Sequence, residues 1–206
     1  KGFSISFQVA ESNVTIPTIG IHNMENALAC MAAAHHVGLS VQACADALAH
    51  YEGIYRRHQC LYNRNGIIVI DDYAHNPAKI AASIKACQPI AHQLIAWFQP
   101  HGYGPTRFIR HELVHEIASA LRPQDSIWMS EIYYAGGTAV KDISANDLIK
   151  DLQLLGIDAH FEEDRKRLFE KLIPTLTPDT VLLLMGARDP GLEKFAHEVV
   201  DLLQEK

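Results

Sequence analysis

The sequence predicts an α/β fold, a doubly wound and mostly parallel sheet flanked by helices, on three observations. From residue 61 onward, short apolar runs alternate with helix-patterned segments at the spacing of βαβ units. One such run, Ile67-Ile68-Val69-Ile70, is apolar throughout, as a strand covered on both faces should be. It leads straight into Asp71-Asp72-Tyr73-Ala74-His75-Asn76-Pro77. Two carboxylates, a phenol and an imidazole thus fall at a strand's carboxyl end, the edge where open α/β sheets bind ligands. Finally, 48% hydrophobic and 20% charged residues over 206 positions is an ordinary globular composition.

Phe3, Ile5, Phe7 and Val9 alternate with Ser4, Ser6 and Gln8, the period of a half-buried strand. Val14-Thr15-Ile16-Pro17 is a second, shorter one. Met24 to His36 is rich in alanine and leucine without an internal breaker, a helix that Gly38 ends. Val41 to His50 is another, opened by the cap residue Ser40. Gly53 to His58 is a linker. Strand Ile67–Ile70 then precedes helix Pro77–Cys87, whose Pro77 suits a first turn because its missing N–H had no partner there. Strand Gln93–Phe98 is followed by helix Thr106–Leu121, and Ser126–Met129 by helix Ser144–Leu155, which Gly156 stops. Ala159–Phe161 precedes helix Asp164–Ile173, and Thr180–Met185 precedes helix Gly191–Leu203. Two strands and two helices make a poor core, so residues 1–54 are expected to be the tail of a domain whose body is missing.

A net charge of -6 with no Lys/Arg cluster argues against a nucleic-acid surface. No apolar run approaches the ~18 residues of a membrane span, and Lys1-Gly2-Phe3-Ser4 lacks a signal-peptide layout. Cys30, Cys44, Cys60 and Cys87 form no Cys-x-x-Cys pair and are expected to be buried free thiols of a reducing compartment.

The motifs resemble a known family. Gly20-Ile21-His22-Asn23-Met24-Glu25-Asn26-Ala27 resembles the Gly-x-His-Asn-x-x-Asn-Ala helix start of the Mur ligases, ATP-dependent enzymes that build the peptide stem of peptidoglycan. Tyr55-Arg56-Arg57 resembles their inter-domain Arg-Arg. Asp71–Pro77 and Phe98-Gln99-Pro100-His101 resemble the Asp-Asp-Tyr-Ala-His-His-Pro and Phe-Gln-Pro-His segments of the alanine-adding class. Ile132-Tyr133-Tyr134-Ala135-Gly136 and Met185-Gly186-Ala187-Arg188-Asp189 fall where that class carries similar loops. The resemblance runs nearly end to end and in order.

It implies a tail of the central ATPase domain at 1–54 and a Rossmann-like C-terminal domain at 55–206. The implied activity is that of a cytoplasmic, ADP-forming ligase of cell-wall biogenesis. Such an enzyme joins an amino acid, L-alanine by resemblance, or alternatively another amino acid or a recycled peptide, to UDP-N-acetylmuramate. ATP phosphorylates the substrate carboxylate, the amine attacks the acyl phosphate, and a tetrahedral intermediate expels phosphate. ATP and Mg²⁺ are the implied cofactors. No Gly-x-x-x-x-Gly-Lys-[Ser/Thr] occurs here, so the chain alone is expected to be inactive.

By the same resemblance, Asn23 would meet the adenine's exocyclic amine and N7, since an amide offers the matching donor and acceptor. His22 and Asn26 belong to that motif, although His22 and Asn23 also suit caps of a helix from Met24. Arg57 would reach the phosphates, where a guanidinium suits developing charge. Asp72 would bind the ribose and Asp71 would be structural. Tyr73, His75, His101 and Tyr103 would orient the incoming amine or the reacting phosphate, with His75 and Arg57 the catalytic pair. The linker Gly53–His58 would be the hinge on which the two domains close.

The chain departs from the alanine-adding pattern, His-Arg-Tyr-Ser/Thr-Arg-Thr, in reading His101-Gly102-Tyr103-Gly104-Pro105-Thr106. Both arginines that would grip an amino-acid carboxylate are gone, and Ala-Gly-Glu becomes Ala135-Gly136-Gly137. Arg107 or Arg110 is the substitute the sequence offers. Two rivals remain. His111-Glu112-Leu113-Val114-His115 is a literal His-Glu-x-x-His, which on a helix could bind zinc with Glu131 as third ligand. Against it, Leu113, Ile117 and Leu121 demand that one face of that helix be buried. The other rival is a nucleotide-binding or partner module without chemistry. The remaining histidines, among them His35, His36, His50, His92, His160 and His197, show no ligand spacing.

Overall fold

The computed structural model describes residues 3–134 and 136–205. The Lys1-Gly2 start and Ala135 in the Ile132–Gly136 loop lie outside them. Strands β1 (Ile5–Val9) and β2 (Ser12–Ile16) form an antiparallel pair. Helices α1 (Ile21–His36) and α2 (Val41–Ala49) follow, and Ser40 caps α2 by accepting the Ala43 N–H. The buried residues of this unit are few: Val14, Ile16, Ala27, Met31, Cys44 and Ala45 form its cluster. Only Ala27 and Met31 of the long helix α1 are buried.

The larger unit is a six-stranded sheet of β3 (Gln59–Arg64), β4 (Ile67–Asp72), β5 (Gln93–Gln99), β6 (Ser126–Met129), β7 (Asp158–Phe161) and β8 (Thr180–Gly186). Its order is β3-β4-β8-β5-β6-β7, all parallel except the antiparallel β3–β4 pair. Period-2 alternation sends side chains of each strand to opposite faces. Val181, Leu183 and Met185 pack with α3 (Pro77–Cys87), α4 (Tyr103–Ala120) and α5 (Ala145–Leu154). Leu182 and Leu184 pack with α6 (Arg165–Leu172) and α7 (Leu192–Gln204). Helices on both faces make the sheet doubly wound, as the alternation of elements requires.

The structure corrects several expectations. Strand β3 is one the apolar runs do not reveal, because its half-exposed edge position needs no continuous apolarity; Asn65-Gly66, a hairpin dipeptide, is its signal. Helix α1 starts at Ile21 rather than Met24, with Gly20 at its N-cap and no side-chain cap bond. The capping role weighed for His22 and Asn23 therefore does not hold. Helix α4 starts at Tyr103 rather than Thr106, so Pro105 lies inside the first turn, where its missing N–H leaves no bond unmade. The four thiols are free, but only Cys44 and Cys87 are buried; Cys30 and Cys60 are exposed.

Gly20 joins the two units. Its φ is 94°, and a Cβ there would lie 2.6 Å from His22 Cε1 and 2.9 Å from Ala86 Cβ on α3. Backbone strain and a clash with a packed helix both oppose a side chain. Gly20→Ala is expected to cost about 1–3 kcal/mol, read as a Tm lowered by several degrees in calorimetry.

Candidate functional site

Residues 56 and 58 are buried and clamp the linker to the sheet edge. The Arg56 guanidinium donates to both Asp71 oxygens, at 2.8 and 3.2 Å, and to the Gly186 carbonyl at 3.0 Å. The Arg56 carbonyl accepts the Tyr73 N–H. Burial pushes the Asp71 carboxyl above its ordinary range, and the forked Arg56 contact offsets part of that. Asp71 is therefore structural, as expected. The His58 N–H donates to Asp72 Oδ2 at 2.8 Å, and its ring lies between Asp72 (Nδ1 to Oδ2, 3.5 Å) and Ser83 (Nε2 to Oγ, 2.9 Å). Burial holds its pKa below the ordinary value, with Asp72 opposing, so the ring is neutral at neutral pH.

Both clamped residues have left-handed backbones, Arg56 at φ 53° and His58 at 46°. Between them Arg57 is exposed, its guanidinium 5.8 Å from the Tyr73 ring centroid. Of the linker Gly53–His58, expected to be the hinge, residues 56 and 58 are hydrogen-bonded to the sheet.

A cavity of about 480 Å³ brings together His22, Asn23, Asn26, Arg57 and Asp72, five residues from three separate stretches of chain. Asn23 Nδ2 donates to the Ile19 carbonyl at 2.7 Å and to Thr18 Oγ1 at 3.2 Å. A carbonyl can only accept, so the amide's orientation is fixed and its N–H groups are spent. Only Oδ1 remains, which suits an exocyclic amine but not N7. Asp72 is buried, with Oδ1 accepting the Ala74 N–H and Oδ2 the His58 N–H. A ligand hydroxyl would have to use the second lone pair of either oxygen. The His22 ring packs 5.2 Å from His58. Lys79 and Tyr51 also line this cavity. The sequence reading missed both, although Lys79 follows the Asp71–Pro77 segment by two positions.

Tyr73, His75 and His101 form a second group along the same edge. His75 meets the Tyr73 ring edge-on at 5.6 Å and the His101 ring at 5.9 Å. His101 Nδ1 is buried without a hydrogen-bond partner. Burial first, then the nearby His75 and Arg188, lowers the His101 pKa. Tyr103 stands apart: it packs 5.9 Å from Tyr134, with Lys141 Nζ 5.7 Å from its ring.

The substitutes and rivals can be placed too. Arg107 is ion-paired with Asp142, and Arg110 with Asp151 at 2.6 and 2.9 Å, so neither is a free carboxylate grip. His111 and His115 lie exposed on α4 with Nε2 atoms 3.1 Å apart. Glu131, their suggested third ligand, instead accepts the Ile132 and Ala145 N–H groups and the Ser144 hydroxyl at the start of α5. No three His, Cys, Asp or Glu side chains converge on a metal position among the described residues. Among them, too, no helix is long and apolar enough to cross a membrane.

Residues 56–188 match the family model described as Mur ligase, glutamate ligase domain. The UDP-N-acetylmuramate–L-alanine ligase of Acetivibrio thermocellus is 34% identical over 180 residues, covering 86% of this chain and 37% of that protein. The ligase of the same name from Chlorobium phaeobacteroides is 33% identical over 206 residues, 97% of this chain and 43% of that protein. The crystal structure of UDP-N-acetylmuramate–alanine ligase from Thermotoga maritima superposes with a TM-score of 0.74 at 27% identity, covering 94% of this chain and 40% of that one. MurF from Acinetobacter baumannii shares the fold at 20% identity and a TM-score of 0.71, over 96% of this chain and 42% of its own. The chain therefore spans about two fifths of the length of these relatives.

His58 gives the clamp a defined pH response. Its folded pKa lies below the ordinary 6.5, so the unfolded chain takes up the proton first as pH falls. Stability associated with this residue is complete above pH 6.5 and declines below it, down to the folded pKa. In urea titrations, His58→Gln is expected to be less stable than the parent at neutral pH. It should also lose less stability between neutral and mildly acidic pH, so that the two chains converge.

Proposed function

The chain belongs to the Mur ligase family, and on that premise we propose that it is the C-terminal portion of an ATP-dependent, ADP-forming ligase. That enzyme would join an amino acid to UDP-N-acetylmuramate in the cytoplasm during peptidoglycan synthesis. The observation that carries the reading is the cavity shared by His22, Asn23, Asn26, Arg57 and Asp72. Motifs far apart in sequence meet in one hollow at the carboxyl edge of the sheet, where the family resemblance requires a nucleotide.

In this reading residues 1–54 end the ATPase domain and residues from 55 onward form the domain that closes on it. Asn23 Oδ1 accepts from the adenine amine, Asp72 receives a ribose hydroxyl, and Lys79 adds a cation beside Arg57. Arg57, presented by its clamped neighbours, stabilises charge developing on the transferred phosphoryl group. His75 and His101 face the attacking amine. Mg²⁺ would be held mostly by the ATPase domain, as no three His, Cys, Asp or Glu side chains converge on a metal position among the described residues. The amine itself need not be L-alanine, because Gly102 and Pro105 stand where the alanine-adding pattern has arginines.

Two measurements test this. Titration of the chain with ATP, followed by fluorescence of a labelled nucleotide, should saturate, and Asn23→Ala should weaken binding about tenfold, the worth of one good hydrogen bond. In the intact enzyme, Arg57→Ala should lower kcat by about 10²–10³, as loss of a transition-state cation does. Unchanged turnover, or no nucleotide binding by the parent chain, would sink the proposal.

A further inference from the structure

On the solvent side of α4, His111 and His115 stand one turn apart, with ring centroids 4.3 Å and Nε2 atoms 3.1 Å from each other. Residues at i and i+4 share one face of a helix, and both of these are exposed. The helix leaves the carboxyl edge of the sheet at Tyr103, so His111 lies about 12 Å further along its axis. On the other face Leu113, Val114 and Ile117 are buried in the core, which fixes the backbone that carries the pair. Neither ring is held by an acid: among the described residues the histidines in ion pairs are His58 and His160. The two Nε2 atoms meet each other instead, one donating its N–H and the other accepting.

We propose that His111 and His115 chelate a divalent transition-metal ion, copper(II), nickel(II) or zinc(II), through both Nε2 atoms. Imidazole nitrogen suits these ions, whereas magnesium and calcium take oxygen ligands. The spacing fits a chelate. Two metal–nitrogen bonds of about 2.0–2.1 Å that span 3.1 Å meet at an angle of about 95–102°. That lies between the angle of about 90° at a square-planar or octahedral ion and the angle of about 109° at a tetrahedral one. A separation change of about 0.2 Å reaches either geometry. Each ring would bind as neutral imidazole with its proton on Nδ1. The protein's share stops at two ligands, because no third His, Cys, Asp or Glu joins the pair among the described residues, and Glu131 is held at the start of α5. Water fills the remaining positions. An open helix face with two ligands binds metal without the cleft and third ligand of a zinc protease. The site is independent of the proposed ligase reading and does not compete for its Mg²⁺.

The test is a ¹H–¹⁵N titration of the 206-residue chain with copper(II) chloride, whose unpaired electron broadens the signals nearest the ion. Expected at substoichiometric copper is broadening centred on residues 108–119. Zinc(II) chloride should shift the same signals, and magnesium chloride should leave them in place. His111→Asn and His115→Asn should each weaken copper binding about tenfold or more. The double variant should add little to either single one, because one lost nitrogen already ends the chelate. His35→Asn, which removes an exposed histidine of α1, should change nothing on α4. Both target positions are exposed, and unchanged spectra elsewhere would show the variants folded. Three outcomes overturn the proposal: broadening centred on other histidines or on Cys30 and Cys60 with α4 untouched, binding by either single variant equal to the parent's, or independent and additive losses in the two variants.

Discussion

The buried pairing of Arg56 with Asp71 is the constraint on which the site depends. Desolvating two charges costs several kcal/mol per ion, so the pair is tolerable only where every donor and acceptor is met. Here the guanidinium reaches two carboxylate oxygens on β4 and a carbonyl at the end of β8, spanning two adjacent central strands. Removing either partner would leave a lone charge in the interior, at a cost of about 3–5 kcal/mol. The linker is therefore pinned at one residue, and His58 pins it again through Asp72 and Ser83. With 56 and 58 turned inward, Arg57 has nowhere to point but outward, between the cavity of His22 and Asn23 and a second hollow lined also by Arg188 and Glu193.

The same logic sets the charge of the ligand edge. The chain carries a net -6, yet the acids of this edge are spent on structure: Asp71 on Arg56, Asp72 on two backbone N–H groups, Asp189 on Arg165, Glu131 on the start of α5. Among the described residues lining the two hollows, what remains outward without an ion pair is Arg57, Lys79 and Arg188, with Glu193 as the one acid. An acidic protein thus presents a rim that favours anions. Net charge is a property of the whole surface and says little about one edge.

Much of this was legible from residue order alone. Ile67–Ile70 runs apolar into Asp71 and Pro77 opens a helix, which together locate the edge. The motif residues His22, Asn23 and Asn26 recur at helical spacing and could be expected on one side of a helix. What the sequence hid were matters of partnership. Asn23 looked able to donate and accept, but the Ile19 carbonyl takes its donor. Arg107 and Arg110 looked free, and their acidic partners lie 35 and 41 residues away. Strand β3 was hidden for another reason: an edge strand with alternating exposure has no continuous apolar run, and the Asn65-Gly66 turn was its remaining mark.

The loop after β5 shows how a binding edge can lose charges and keep its shape. It is held by backbone, Gly102 N–H to the Tyr133 carbonyl at 2.9 Å and Tyr133 N–H to the Pro100 carbonyl at 2.8 Å. No side chain at 102 or 105 takes part. Gly102 sits at φ 73°, and a Cβ there would lie 3.3 Å from Pro105 Cδ, so the two residues suit each other and an arginine at 102 would be strained. Glycine at 102 and proline at 105 are thus compatible with each other in this turn. The frame of the loop therefore does not depend on those side chains. The β8–α7 loop begins on a strand adjacent to β5 and carries Arg188, which forms no ion pair among the described residues.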